Sequence, residues 1–157
     1  MGVLAFVSAP FRFDRSWSFD VPPSDLWTAI SRTEDFTTWW PWLRHFDLDT
    51  LAEGATARCV VQAPIPYRLR FRVRVRRVIP LELIDTVVSG DLAGPARLEV
   101  APHELGSSVR LKWEVELRDP VLRVSSLIAR PVMEWGHNWV VDTGVRQFRR
   151  RALGRRA

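Results

Sequence analysis

The stretch "YRLRFRVRVRRV", residues 67–78, carries six arginines in twelve positions. Arginines at 68, 70, 72, 74 and 76 alternate with Tyr67, Leu69, Phe71, Val73 and Val75. That two-residue period belongs to a half-buried strand, whose successive side chains point to opposite faces. A helix would spread the same arginines around its circumference, and a disordered basic arm has no need of β-branched and aromatic residues in strict alternation. The stretch reads as a strand with one apolar face and one arginine face. Arg77 breaks the period, so the strand ends or bulges there.

Charge then asks what the arginines face. The 157 residues hold 23 Lys+Arg against 18 Asp+Glu, a net +5, but Arg149, Arg150, Arg151, Arg155 and Arg156 lie in the last nine residues. Residues 1–148 balance at 18 against 18. With a neutral body, the arginine strand is expected to meet acids such as Asp14, Asp20, Glu114 or Glu116 as cross-strand pairs on a solvated face. No nucleic-acid partner is expected on that reading.

The length fits one domain, residues 1–157, with a core over about 10–153 and a basic tail, 149–157, that reads as a frayed, solvated end. The single Cys59 excludes an intramolecular disulfide and reads as a small core residue suited to a reducing cytosol. The first ten residues, "MGVLAFVSAP", lack the positive leader of a secretory signal, and no later run approaches 18 apolar residues. A cytoplasmic protein without stable membrane insertion is expected. Gly2 invites a myristoylation reading, which fails because Phe6 stands where Ser or Thr is needed.

Outward from residues 67–78 the same logic orders the chain. Phe11, Phe13, Arg15, Trp17 and Phe19 alternate with Arg12, Asp14, Ser16 and Ser18, a first strand. "VPPSDLWTAI" opens a short helix that Ser24 or a neighbour is placed to cap, and "SRTEDFTTWWPWL" a second, with capping-box spacing from Ser31 to Glu34 and a stop near Trp40 before Pro41. Strand-like runs follow at about 43–50, 55–63, 67–79, 81–89, 95–101 and 107–118, with connections too short for crossover helices. In the last of them Val109, Leu111, Trp113, Val115 and Leu117 form the apolar face. The chain closes on a helical segment that Pro131 is expected to kink or restart.

One strand, two short helices, six antiparallel strands and a long helix make an α+β order. In that order, in Trp39 and Trp42 after the first helix, in "SGDLAG" (89–94) followed by "ARLEV", in "VRLKWEVEL" and in "ARPVMEWGHNW", the sequence resembles the START-like superfamily of polyketide cyclases, dehydrases and birch-pollen-allergen relatives. The resemblance covers about residues 10–153. It implies a helix-grip fold: a seven-stranded antiparallel curved sheet wrapped around the C-terminal helix, with an apolar cavity between them whose mouth the two short helices border.

Several residues are candidates for lining such a cavity. Trp39, Trp40 and Trp42 either plug one end of the core or, for Trp39 or Trp42, gate its entrance. On a helical wheel Met133, His137, Val140, Val141, Gly144 and Phe148 share one stripe, with His137 its single titratable member. His137 can serve as a catalytic acid or base, hold a ligand carbonyl, or be a structural histidine with one partner. Gly144 implies close packing or open space. Arg15 lies between the inward-pointing Phe13 and Trp17, and needs a carboxylate partner or an anionic head group unless it snorkels to water at the rim. Trp17, Phe71, Val73 and Trp113 complete the candidate lining. Trp135 and Trp139 share the helix's polar side and are expected to pack beneath residues 121–130, the alternative being an exposed contact patch. His45 and His103 read as solvated.

No metal-ligand spacing, nucleophile elbow, P-loop or dinucleotide fingerprint is present, so no cofactor or metal is expected. The leading expectation is a binding protein for a hydrophobic or aromatic small molecule of lipid, polyketide or quinone type. A cyclase or dehydratase using the same cavity and a protein-interaction or co-chaperone module are the alternatives, and a homodimer is compatible with each.

Overall fold

The computed structural model describes the backbone of residues 11–62, 68–117 and 126–154, and the side chains of all of these except 11, 117 and 126–133. The N-terminal run with Gly2 and Phe6, and the last three residues, lie outside the described residues. The alternating segments are strands: β1 (Phe11–Phe19), β2 (Leu43–Phe46), β3 (Thr56–Gln62), β4 (Arg68–Ile79), β5 (Leu83–Gly90), β6 (Leu92–His103) and β7 (Gly106–Leu117). They form one antiparallel sheet in the order β1-β7-β6-β5-β4-β3-β2. The register slips between Val75 and Arg77, so the broken period in the sequence marks a bulge, and β4 runs on to Ile79.

Between β1 and β2 the chain forms helix α1 (Pro23–Ser31), one 3₁₀ turn (Thr33–Asp35) and the single-turn helix α2 (Phe36–Trp39). Pro23 starts α1 with its φ already helical, and Leu26 and Ala29, three apart, bury its inner face. The expected caps do not form. No side chain caps α1, the Ser31 hydroxyl donates to the Trp27 carbonyl, and Thr33 donates to the Leu48 carbonyl instead. Extended geometry at Trp40, imposed by Pro41, ends α2.

Helix α3 (Ser126–Gln147) is continuous over 22 residues and spans about 33 Å at 1.5 Å per residue. It begins five residues before Pro131. The proline, sixth in the helix, removes the one bond its N–H would make to the Leu127 carbonyl, and the helix continues through it. Phe148–Leu153 continues the helix as a π-helical turn with Phe148 and Ala152 buried, so the basic segment is ordered helix through Leu153, and 155–157 lie outside the described residues. The Arg149 guanidinium lies 4.6 Å from the Phe19 ring centroid, and Arg151 donates to the Trp39 carbonyl at 2.8 Å.

The apolar faces gather into two clusters. One joins Phe19, Leu26, Ala29, Trp39, Val100, Val109, Phe148 and Ala152; the other joins Leu48, Ala57, Cys59 and Val75, with Phe71 and Val73 against it. The connection expected between the runs at 81–89 and 95–101 shrinks to Asp91, because Leu92 already pairs with Leu117. Gly94 permits this close pairing: its φ is +147°, and a Cβ there would overlap the Glu114 carbonyl.

The cross-strand acids expected for β4 are elsewhere. Strand order places β1 and β7 away from β4, so Glu114 pairs with Arg12 and Asp14 with Arg110. The β4 arginines face Thr56, Arg58, Val60 and Gln62 on β3, and Ser89, Val87 and Asp85 on β5.

Candidate functional site

Register places Phe13 of β1 opposite Trp113 of β7, and the two rings stack with centroids 4.5 Å apart and planes 17° from parallel. Helix α3 crosses this pair and sets His137 edge-on to both. Its ring lies 4.8 Å from Phe13 at 74° and 4.8 Å from Trp113 at 88°. Trp17 extends the platform, 6.3 Å from Phe13. The sheet and the helix thus meet across apolar rings.

Two polar atoms in this contact are buried and, among the described residues, have no hydrogen-bond partner: Trp113 Nε1 and His137 Nε2. Other buried polar groups are satisfied, with Thr33, Thr86 and Ser107 donating to the carbonyls of Leu48, Ala96 and Val21. Burial lowers the His137 pKa, the nearby Arg15 charge lowers it further, and a hydrogen bond with Asn138 and the charges of Asp142 and Glu134 oppose them. At neutral pH the imidazole is uncharged. The site therefore offers a fixed indole donor and an imidazole that donates or accepts according to tautomer.

Arg15 closes the rim. It is exposed, its Nη1 lies 3.1 Å from Asp142 Oδ1 on α3, and its guanidinium sits 5.4 Å from the Trp17 ring centroid. The carboxylate it requires comes from the helix, so Arg15 latches β1 to α3. Val141, on the stripe after His137, is buried.

A second aromatic group pins the far part of the helix. Trp40 Nε1 donates to the Gly144 carbonyl at 2.9 Å, and Trp42 Nε1 donates to Gln147 Oε1 at 3.0 Å. Trp40 and Trp42 stack 5.6 Å apart, and Trp39 is buried edge-to-face against Phe148. Gly144 therefore marks close packing rather than open space, with Trp42 pressed against it.

Of the candidate lining residues, Trp17, Trp113, His137 and Arg15 converge on one place. Trp39, Trp42 and Gly144 form a second, and Phe71 and Val73 belong to the cluster around Cys59. The Met133 side chain lies outside the described residues, as do residues 121–125 invoked to cover Trp135 and Trp139. Trp135 is 53% exposed, which overturns its expected internal packing, while Trp139 is half-buried. Asp142 and Gln147 are contributors the sequence did not single out. Among the described residues no group of three or more His, Cys, Asp or Glu could hold a metal ion, and no helix is long and apolar enough to cross a membrane.

No family model matches the chain, and no curated protein matches it. Solved structures do. The Thermus thermophilus protein TTHA0849 shares 13% identity over 94% of this chain and 100% of its own, with a TM-score of 0.75. A START superfamily protein from Mycobacterium smegmatis shares 11% over 91% and 97%, at 0.70. Ara h 8.0201 shares 10% over 88% and 98%, at 0.59. The chain has the START-like, helix-grip fold, as its element order implied.

Proposed function

We propose that the protein binds an apolar or aromatic small molecule carrying at least one hydrogen-bonding oxygen, held between the sheet and helix α3 beside Phe13, Trp113 and His137. The observation that carries the reading is the pair of unsatisfied buried atoms, Trp113 Nε1 and His137 Nε2, on facing surfaces. An orphaned buried polar group costs about 1–3 kcal/mol, a cost that a ligand carbonyl or hydroxyl would remove. Apolar burial against the rings supplies the rest of the affinity, at roughly 25 cal/mol per Å². The fold shared with a START superfamily protein and with Ara h 8.0201 is consistent with such a use.

Among the described residues the ring contacts of His137 are with Phe13 and Trp113, and Asp142, one of the carboxylates whose charge reaches it, is engaged by Arg15. This favours binding over proton-moving chemistry.

Tryptophan quenching and native mass spectrometry with matched probes test the reading: a hydroxylated polycyclic aromatic and its deoxy analogue. The hydroxylated probe should bind more tightly, and Trp113→Phe or His137→Phe should erase its advantage, about tenfold for one hydrogen bond of roughly 1.4 kcal/mol. Binding of neither probe, or a preference that survives both substitutions, would overturn the proposal.

A further inference from the structure

The outer face of the sheet is divided electrostatically. On β1, β7 and β6 the arginines of this face are matched, Arg12 with Glu114, Arg110 with Asp14, and Arg97 with Asp85 and Glu99, and Lys112 stands opposite Asp14 without an ion pair. On β4 they are not. Arg68, Arg70, Arg72, Arg74 and Arg76 are all exposed, and among the described residues none has a carboxylate within ion-pair distance of its guanidinium.

The acids nearest this strand are already engaged. Asp47 is taken by Arg58 and His45, Asp85 by Arg97, Asp91 accepts the Arg70 backbone N–H, and Glu53 accepts the Val78 backbone N–H. Arg68 donates to the neutral side chain of Gln62. Arg58 stands directly opposite Arg72 in the β3–β4 register, a like-charge pair that weakens strand pairing. A neutral body carries four unneutralised charges in a line, Arg68 to Arg74, with Arg76 at the bulge beyond them, and Arg72 faces a further arginine.

We propose that this arginine line is a docking surface for the phosphodiester backbone of a single-stranded nucleic acid. Same-face residues on a strand recur about every 6.6 Å, so Arg68 to Arg74 places four charges along roughly 20 Å. That is a linear array one strand wide, suited to a linear polyanion more than to the two-dimensional surface of an anionic bilayer. Between Arg74 and Arg76 the surface opens into a recess of about 340 Å³, lined also by Gly54, Val75 and Val87. A base turned toward the protein has room there, between guanidinium groups on which bases can stack. The exposed β3 and β4 side chains on this face include no aromatic ring, so affinity comes from phosphate contacts, is independent of sequence and falls steeply with salt. This surface lies on the opposite face of the sheet from the ligand site, and the two proposals stand or fall separately.

Fluorescence anisotropy of a labelled oligo(dT) of about 20 nucleotides, titrated from low to moderate salt, tests the inference. Five neutralised phosphates correspond to a log–log salt slope near −3.5, at about −0.7 per contact for single strands. Replacing Arg70, Arg72 and Arg74 together by Ala should weaken binding at least tenfold and flatten the slope by about 2. A charge-matched control, Arg12→Ala, Arg97→Ala and Arg110→Ala, should retain binding. Circular dichroism monitors the fold of each variant, and the single variants Arg72→Ala and Arg74→Ala carry the test if a triple variant fails to fold. Three results would overturn it: no binding to oligo(dT) at low salt, equal losses in both triple variants, or unchanged binding when the β4 arginines are removed. Association with phosphatidylserine vesicles in place of oligo(dT) would overturn it in favour of a membrane surface.

Discussion

A β-carbon placed on Gly144 would lie 3.1 Å from Cζ2 of Trp42, so the helix at this point is shaped by the tryptophan resting on it. Trp42 cannot easily yield, because its indole N–H is bonded to Gln147 and its ring stacks on Trp40. Alanine at 144 should gain about 1 kcal/mol of helix propensity and lose at least that much in displaced packing. Gly144→Ala is expected to lower the melting temperature. In a Trp42→Leu background the same substitution should become stabilising, and a denaturant-based double-mutant cycle measures the change of sign.

His137 gives the protein a pH signature. Its folded-state pKa lies below the ordinary histidine value of 6.5, so the unfolded chain binds the extra proton first as pH falls. The stability it contributes is complete above about pH 6.5 and is lost as pH drops toward the folded pKa. Urea unfolding from about pH 7.5 to about pH 5 should show falling stability, and His137→Phe should flatten the decline. An equal slope in the variant would remove His137 as its source.

Cys59 should be unreactive. Burial, reinforced by the Asp47 charge, pushes its pKa up to about 12. The thiolate is the reactive form, so alkylation by iodoacetamide at about pH 8 should be negligible in the native protein and rapid in about 6 M guanidinium.

Leu81 occupies a position made for another residue. The turn joining β4 to β5 closes with Glu82 N–H donating to the Ile79 carbonyl at 2.9 Å, Pro80 precedes Leu81, and Leu81 has φ +70°. Glycine or asparagine is favoured there in a type II turn. Leu81 is also 43% exposed, so its removal forfeits little packing. Leu81→Asn should stabilise by about 1 kcal/mol, or roughly 2–4 °C in melting temperature.

Strand periodicity makes most of this architecture legible. Alternation from Tyr67 to Val78 and from Phe11 to Phe19 identifies the strands, and short connections make them antiparallel. What alternation does not encode is which strand lies beside which. For that reason the carboxylates expected opposite the β4 arginines prove to be partners of Arg12 and Arg110. The helical wheel puts His137 on the correct side of α3, but contact with Phe13 depends on the β1–β7 register, which only the folded chain supplies. Arg15 is recognisable as needing an anion. Asp142, 127 positions away, carries no local mark of being that anion. A restart at Pro131 misplaces the helix start, because the helix runs through the proline from Ser126 and nothing local in the sequence marks that start.

The pairing of β1 with β7 has a consequence for synthesis. Phe11 and Val115 are neighbours in the sheet, so β1, the earliest of the described strands to leave the ribosome, lacks its β7 partner until that strand has been made. Closing so long a loop is slow relative to forming the hairpins β3–β4 and β4–β5. During that interval Phe13 and Trp17 lack their cross-strand partners. Nascent chains halted before residue 106 should therefore be the species most exposed to protease and chaperone, and release of the complete chain should end that vulnerability.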